Sequence, residues 1–118
     1  MTASTLAFEN VAFAYPGSGF RMDGLDLAVA PAELVAVIGA SGSGKSTVLK
    51  LAAGFLAPAR GRIVIDGADV TAAPPRTRDL GVVFQAYALF PHMSALDNVA
   101  YPLKVRGVDG HRRREQAL

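Results

Sequence analysis

Leu34-Val35-Ala36-Val37-Ile38-Gly39-Ala40-Ser41-Gly42-Ser43-Gly44-Lys45-Ser46-Thr47-Val48-Leu49 is the stretch on which the reading of this chain turns. Its first five residues form a continuous apolar run, the pattern of a strand covered on both faces in a parallel sheet. Its middle fits G-x-x-x-x-G-K-[ST] at every fixed position, a match that random sequence of this length produces roughly 0.4% of the time. Its end opens a helical segment, Ser46 to Phe55, in which Val48, Leu49, Leu51, Ala52 and Ala53 predict a largely buried helix and Gly54 a left-handed C-terminal cap.

Strand, glycine-rich loop and helix N-terminus in that order make a phosphate cradle. Glycines let backbone N–H groups approach an anion without Cβ clashes, and the helix end adds partial positive charge. Gly39, Ser41, Gly42, Ser43 and Gly44 are the cradle residues. Lys45 is placed to reach the β- and γ-phosphates of a nucleoside triphosphate, the Ser46 hydroxyl to ligate Mg²⁺, and Thr47 to make a lesser contact. The motif alone leaves kinases, GTPases, helicases and transporter ATPases open.

Upstream, Leu6 and Phe8, then Val11 and Phe13, alternate around Glu9-Asn10, which predicts a bulged strand before the Tyr15-Pro16-Gly17-Ser18-Gly19 turn. Met22, Leu25, Leu27 and Val29 predict a second strand antiparallel to the first. Downstream come a turn at Ala57 to Gly61, a short strand from Arg62 to Asp66, and a loop enforced by Pro74-Pro75. Leu80 to Phe84 is a second apolar strand running into Gln85, and loop follows through Pro91. A helix near Ser94 to Val105, kinked or ended by Pro102, and a new helix from His111 complete the chain.

At 118 residues the chain is the size of one small domain, and 51% hydrophobic against 19% charged residues excludes intrinsic disorder. A net charge of +2 demands no polyanion-binding surface. With no cysteine, and with His92 and His111 as its two histidines, the chain offers neither a disulfide framework nor a zinc cluster. The segment Met1 to Glu9 lacks a basic, then apolar, secretory leader. No apolar run approaches the roughly 18 residues of a membrane span, so any membrane role is peripheral.

Four segments together resemble the ABC transporter ATPase family. They are Phe13-Ala14-Tyr15-Pro16, the glycine-rich loop, Gly61-Arg62-Ile63-Val64-Ile65-Asp66-Gly67, and Val83-Phe84-Gln85-Ala86-Tyr87-Ala88-Leu89-Phe90-Pro91-His92-Met93. The segment from Gln85 to Leu103 is most similar to ATPases of bacterial importers for polyamines, ferric iron, sulfate or thiamine. The resemblance implies an α/β fold: a P-loop NTPase core with an N-terminal antiparallel β-subdomain, ending at the start of the helical subdomain. Residues 1–118 then form a partial ABC-type nucleotide-binding domain.

By the same resemblance the cofactors are ATP and Mg²⁺, and Tyr15 stacks on adenine, a role that makes no demand on its hydroxyl. A strand-end tyrosine packed on a turn is the other reading of that residue. Gln85 touches Mg²⁺ and the attacking water by resemblance, where its position would otherwise suit a surface amide. Phe90, Pro91, His92 and Met93 border the groove for a membrane permease subunit, or else pack into a core. A second ATPase subunit as dimer partner, a solute-binding protein acting indirectly, no nucleic acid, and a peripheral place on the cytoplasmic face of the inner membrane are implied as well.

Ile63-Val64-Ile65-Asp66 resembles a Mg²⁺-binding strand, but Gly67 stands where the family has its catalytic glutamate, which assigns the segment to the β-subdomain instead. Arg112-Arg113-Arg114 with Glu115 and Gln116 is one solvated helical face. Ala32 replaces the glycine common in the family. The L-S-G-G-Q signature, the Walker B aspartate-glutamate pair and the switch histidine do not occur in the chain. The implied function is the ATP-binding subunit of an importer. A non-transport ATPase of the same superfamily, in DNA repair or chromosome maintenance, and a binding-only fragment without turnover are the rival readings.

Overall fold

The computed structural model describes residues 5–86 and 89–118. They form two compact units divided between Val82 and Val83. The expected loop from Gln85 to Pro91 includes Tyr87 and Ala88, and the segment read for a secretory leader includes Met1 to Ser4; these residues lie outside the described ones.

The first unit is built on strands β1 (Leu6–Ala14), β2 (Arg21–Val29), β3 (Arg60–Ile65) and β4 (Ala68–Asp69), with helix α1 (Lys45–Ala53) between β2 and β3. The sheet runs β2-β1-β3-β4 and is antiparallel throughout. β1 and β2 pair from Leu6 with Val29 to Ala14 with Arg21, as their alternating apolar residues require.

The predicted bulge is present. Both ladders of β1 skip one residue around Asn10, whose φ is 52° and whose amide donates to Asp26 Oδ1 at 2.8 Å. On β3, Gly61 passes so close to this bulge that a Cβ there would lie 2.3 Å from the Asn10 carbonyl oxygen. The β3–β4 hairpin turns on Asp66 and Gly67, both at positive φ, as a two-residue turn between twisted strands demands. The Ile63 to Asp66 segment is therefore a β-subdomain strand and turn.

α1 covers one face of the sheet. Phe8 and Val11 of β1, Ile63 of β3 and Leu51 and Ala52 of α1 form the buried core, and each large side chain among them contributes about 1.5–3 kcal/mol by leaving water. The helix closes at Gly54 in the left-handed conformation, its N–H donating to Lys50 and Leu51 carbonyls, as expected. Leu49, expected on a buried face, is 62% exposed because the sheet covers one side of the helix only.

The parallel-sheet strand expected at Leu34 to Ile38 and the second apolar strand expected at Leu80 to Phe84 are not strands among the described residues. Leu34 to Ile38 and Leu80 to Phe84 join no ladder among the described residues, and Leu34, Ile38 and Val83 are 96%, 90% and 98% exposed. An apolar run becomes a central strand only when parallel neighbours supply hydrogen bonds on both edges, and the sheet among the described residues is antiparallel and includes neither run.

Arg78 is buried below this sheet-and-helix layer at 4% exposure, after a 3₁₀ turn at Pro75–Thr77. Its guanidinium donates to the carbonyls of Leu51, Ala52, Thr71 and Ala73. Burial pushes its pKa down, though not near neutrality for a guanidinium.

The second unit contains α2 (Ala95–Val105) and α3 (Gly110–Ala117). Ser94 caps α2 by accepting from the Asp97 amide, and Asp109 caps α3 by accepting from the amides of His111 and Arg112. Pro102 sits inside α2 without ending it, and the helix continues for three residues beyond. Arg112, Arg114 and Glu115 are exposed, with His111 paired to Glu115 at 3.1 Å. No helix among the described residues is long and apolar enough to cross a membrane.

Candidate functional site

The loop from Gly39 to Gly44 leads into the first turn of α1, and its backbone is bent as a cradle. Ser43 N–H donates to the Ala40 carbonyl at 3.1 Å, Gly42 has φ 82° and Gly44 φ 104°. A Cβ at Gly39 would meet Ser43 Oγ at 2.6 Å, and one at Gly44 would meet the Phe20 ring at 2.8 Å, so the bend is closed to side chains at both ends. Gly44 is the N-cap residue, and no side chain caps this helix end. Its first-turn N–H groups are thus left to an anion.

Lys45 Nζ folds back onto its own loop, donating to the carbonyls of Gly39 at 2.5 Å and Ala40 at 2.9 Å. The ammonium is thereby held over the start of the loop as a compact cation. Ser46, the next residue, is exposed, and Thr47 is buried. The donor set suits Mg²⁺ with a polyphosphate: one hydroxyl for the metal, the remaining oxygens from phosphate and water. Among the described residues no cluster of three His, Cys, Asp or Glu side chains offers a rival metal site.

Tyr15 follows β1 directly and reaches the first turn of α1. Phe13 packs edge-on against its ring at 4.8 Å, Phe20 lies at 5.8 Å, and its hydroxyl hydrogen-bonds Thr47 Oγ1 at 3.0 Å. The turn that presents it is tied by Ser18, whose amide and hydroxyl both donate to the Tyr15 carbonyl. A cavity of about 340 Å³ lies against the loop, lined by Phe20, Met22, Val37, Ser43, Lys45 and Val48 among others. Of the expected site residues, the structure brings Tyr15 into contact with Thr47 at the start of α1. Phe20 was not singled out from the sequence, and no local pattern reports its approach to Gly44.

Gln85 is exposed in a turn of the second unit. In that unit the Phe90 ring packs on Tyr101 at 4.7 Å and lies 5.9 Å from His92. Asn98 holds the loop: its Oδ1 accepts from the Phe90 amide, and its Nδ2 donates to the carbonyls of Phe90, Met93 and Ser94. Pro91 and His92 are exposed and Met93 is half-buried. Asn98 also escaped the sequence reading, since one asparagine early in a helix carries no signal of a turn folded around it.

A helix that opens, without a side-chain cap, from a G-x-x-x-x-G-K-[ST] loop is the phosphate-loop arrangement of the P-loop class of nucleotide-binding proteins. The chain belongs to the ABC transporter family, whose model matches residues 22–118. It is 53% identical over 92 residues to the spermidine/putrescine import ATP-binding protein PotA of Frankia alni, covering 78% of this chain and 20% of that protein. It is 48% identical over 113 residues to the Fe(3+) ions import ATP-binding protein FbpC of Agrobacterium fabrum, covering 96% of this chain and 32% of that one.

Among solved structures, the ATP-binding cassette MJ0796, a dimer in a post-hydrolysis state bound to ADP and Pi, superposes with a TM-score of 0.76 at 28% identity. That match covers 95% of this chain and 53% of the other. A bacterial Atm1-family ABC exporter with ATP bound gives 0.72 at 37% identity over 83% of this chain and 18% of the exporter. The chain spans about a fifth to a third of the length of these curated relatives.

Proposed function

We propose that this chain is the nucleotide-binding part of an importer's ATP-driven subunit, taking MgATP in the loop from Gly39 to Thr47. The observation that carries the proposal is the Lys45 ammonium held over the loop carbonyls at an uncapped helix N-terminus. Bound there, the triphosphate replaces Gly39 and Ala40 carbonyls as the partner of Lys45. Backbone N–H groups of the loop hold its oxygens, and Ser46 is the protein ligand for Mg²⁺. Held by Ser46, Mg²⁺ would supply charge neutralisation to the phosphate chain. The Tyr15 ring takes the adenine face, and Gln85 orients water and metal.

Import is favoured over a role in DNA repair or chromosome maintenance because the relatives of known name, PotA and FbpC, are import ATP-binding proteins. In this reading the subunit sits at the cytoplasmic face of the inner membrane. The loop Phe90, Pro91, His92 and Met93 meets a permease, a second ATPase subunit completes the dimer, and a solute-binding protein acts through the permease. Residues 1–118 bind nucleotide without turning it over, since they include no signature sequence or Walker B pair. Titration of ATP with and without Mg²⁺ tests the assignment: Ser46→Ala is expected to abolish the gain in affinity that Mg²⁺ gives the wild type. A gain that survives in Ser46→Ala refutes the metal role.

A further inference from the structure

The hydrogen bond between Tyr15 and Thr47, 3.0 Å long, joins the turn after β1 to the first turn of α1. Thr47 is 5% exposed, so its hydroxyl needs a partner, and Tyr15 provides one. A ring that only stacked on a base would need no such tether. The phenolic oxygen lies on the long axis of the ring, so fixing it sets the direction in which the side chain points. Rotation about that axis is limited instead by Phe13, edge-on at 4.8 Å and 89°, and by Phe20 at 5.8 Å. The ring is thereby tied at its hydroxyl to the first turn of α1 and flanked by Phe13 and Phe20.

We infer that Thr47 is a positioning residue for base recognition: through its hydroxyl it fixes the Tyr15 ring relative to the phosphate loop, so that the pair selects a nucleoside triphosphate over a bare polyphosphate. The inference rests on the nucleotide-binding reading and deepens it. Thr47 does not have to choose between the ring and the anion. A threonine hydroxyl carries one donor and two acceptor lone pairs, so it can accept from Tyr15 and keep its own hydrogen for a phosphate oxygen. The chemistry recognised is therefore composite, a flat base on Tyr15 and a phosphate chain on the loop, at a spacing set by this one bond.

The test measures affinities of the intact chain for MgATP and for magnesium tripolyphosphate. The variants are Tyr15→Phe, Thr47→Val, their double and Thr47→Ser, with Lys45→Ala as the reference for a lost phosphate site. Tyr15→Phe is expected to weaken ATP about threefold to tenfold, the range for one net hydrogen bond, while changing tripolyphosphate by less than about twofold. In the Thr47→Val background the Tyr15→Phe change is expected to have no further effect on the ratio of the two affinities. Thr47→Ser, which keeps the hydroxyl, is expected to keep the wild-type ratio.

Equal effects of Tyr15→Phe with and without the Thr47 hydroxyl overturn the inference, as does an ATP affinity that Tyr15→Phe leaves unchanged or raises. Parallel loss of both ligands marks the bond as a structural tie and overturns it too. A wild type that binds ATP no better than Lys45→Ala overturns the nucleotide-binding reading itself, and the role of the pair with it.

Discussion

The guanidinium of Arg78 donates to the carbonyl of Leu51 at 2.9 Å and, from the same nitrogen, to that of Ala52 at 3.1 Å. These are carbonyls of the last turn of α1, where partial negative charge accumulates and the Gly54 cap N–H, at 3.3 Å from the Leu51 carbonyl, is a long partner. The helix that opens at the phosphate loop is therefore fastened at its far end by a buried cation, which also reaches the Thr71 and Ala73 carbonyls.

Arg78→Met should destabilise the first unit by about 2–4 kcal/mol, because it strips a charged donor from buried carbonyls. Arg78→Lys should recover only part of this, since one ammonium cannot reproduce the fork. Urea unfolding followed by circular dichroism measures both, and equal stability of the methionine variant and wild type would refute the clasp.

Ala32 has φ 59°, in the left-handed region, in a turn where the Glu33 amide donates to the Ala30 carbonyl and the Glu33 carboxylate accepts from the Ala30 amide. The family's usual glycine at this point thus has a backbone reason. Ala32→Gly should raise stability by about 0.5–1 kcal/mol, relief of left-handed strain exceeding the added entropy of the unfolded chain. The check is the thermal midpoint, expected to rise, with ATP affinity unaltered.

Gly61→Ala should cost at least about 2 kcal/mol, combining a φ of 87° with a Cβ placed 2.3 Å from a backbone oxygen of the Asn10 bulge. Backbone atoms cannot swing aside as a side chain does. Amide hydrogen exchange should show β1 and β3 losing protection together, whereas retained protection would place the bulge elsewhere in solution.

Asn98→Ala removes the side chain that bonds both backbone groups of Phe90. In the full-length protein it should reduce transport several-fold more than ATP binding, since the loop it shapes is the proposed permease contact. Reconstituted vesicles with the permease provide the assay. An equal loss of both would return Phe90 to core packing.

The β-subdomain was legible because its signals are local. Alternation in β1 and β2 marks the buried face, Glu9-Asn10 marks the bulge and Gly54 marks the end of α1, while the assignment of the strand and turn through Gly67 to the β-subdomain came from the family resemblance. The phosphate loop was legible because glycine, lysine and serine at fixed spacing serve one geometry. Leu34 to Ile38 and Leu80 to Phe84 misled because apolar continuity reports what neighbouring strands would cover, and pairing is not a property of the run itself. Arg78, Phe20 and the Tyr15 hydroxyl were illegible for a related reason. Their partners, at Leu51, Gly44 and Thr47, are distant in sequence, and only the folded chain brings them together.

The most direct test of the phosphate-site assignment is the affinity of Lys45→Ala for MgATP, titrated with a fluorescent analogue beside a circular dichroism spectrum of the same sample. The Lys45 side chain touches loop carbonyls and belongs to no part of the buried core. The variant should therefore keep its spectrum while losing at least about tenfold in affinity, the scale of one charge-assisted contact to phosphate. A folded Lys45→Ala chain that binds MgATP as tightly as the wild type would contradict the account.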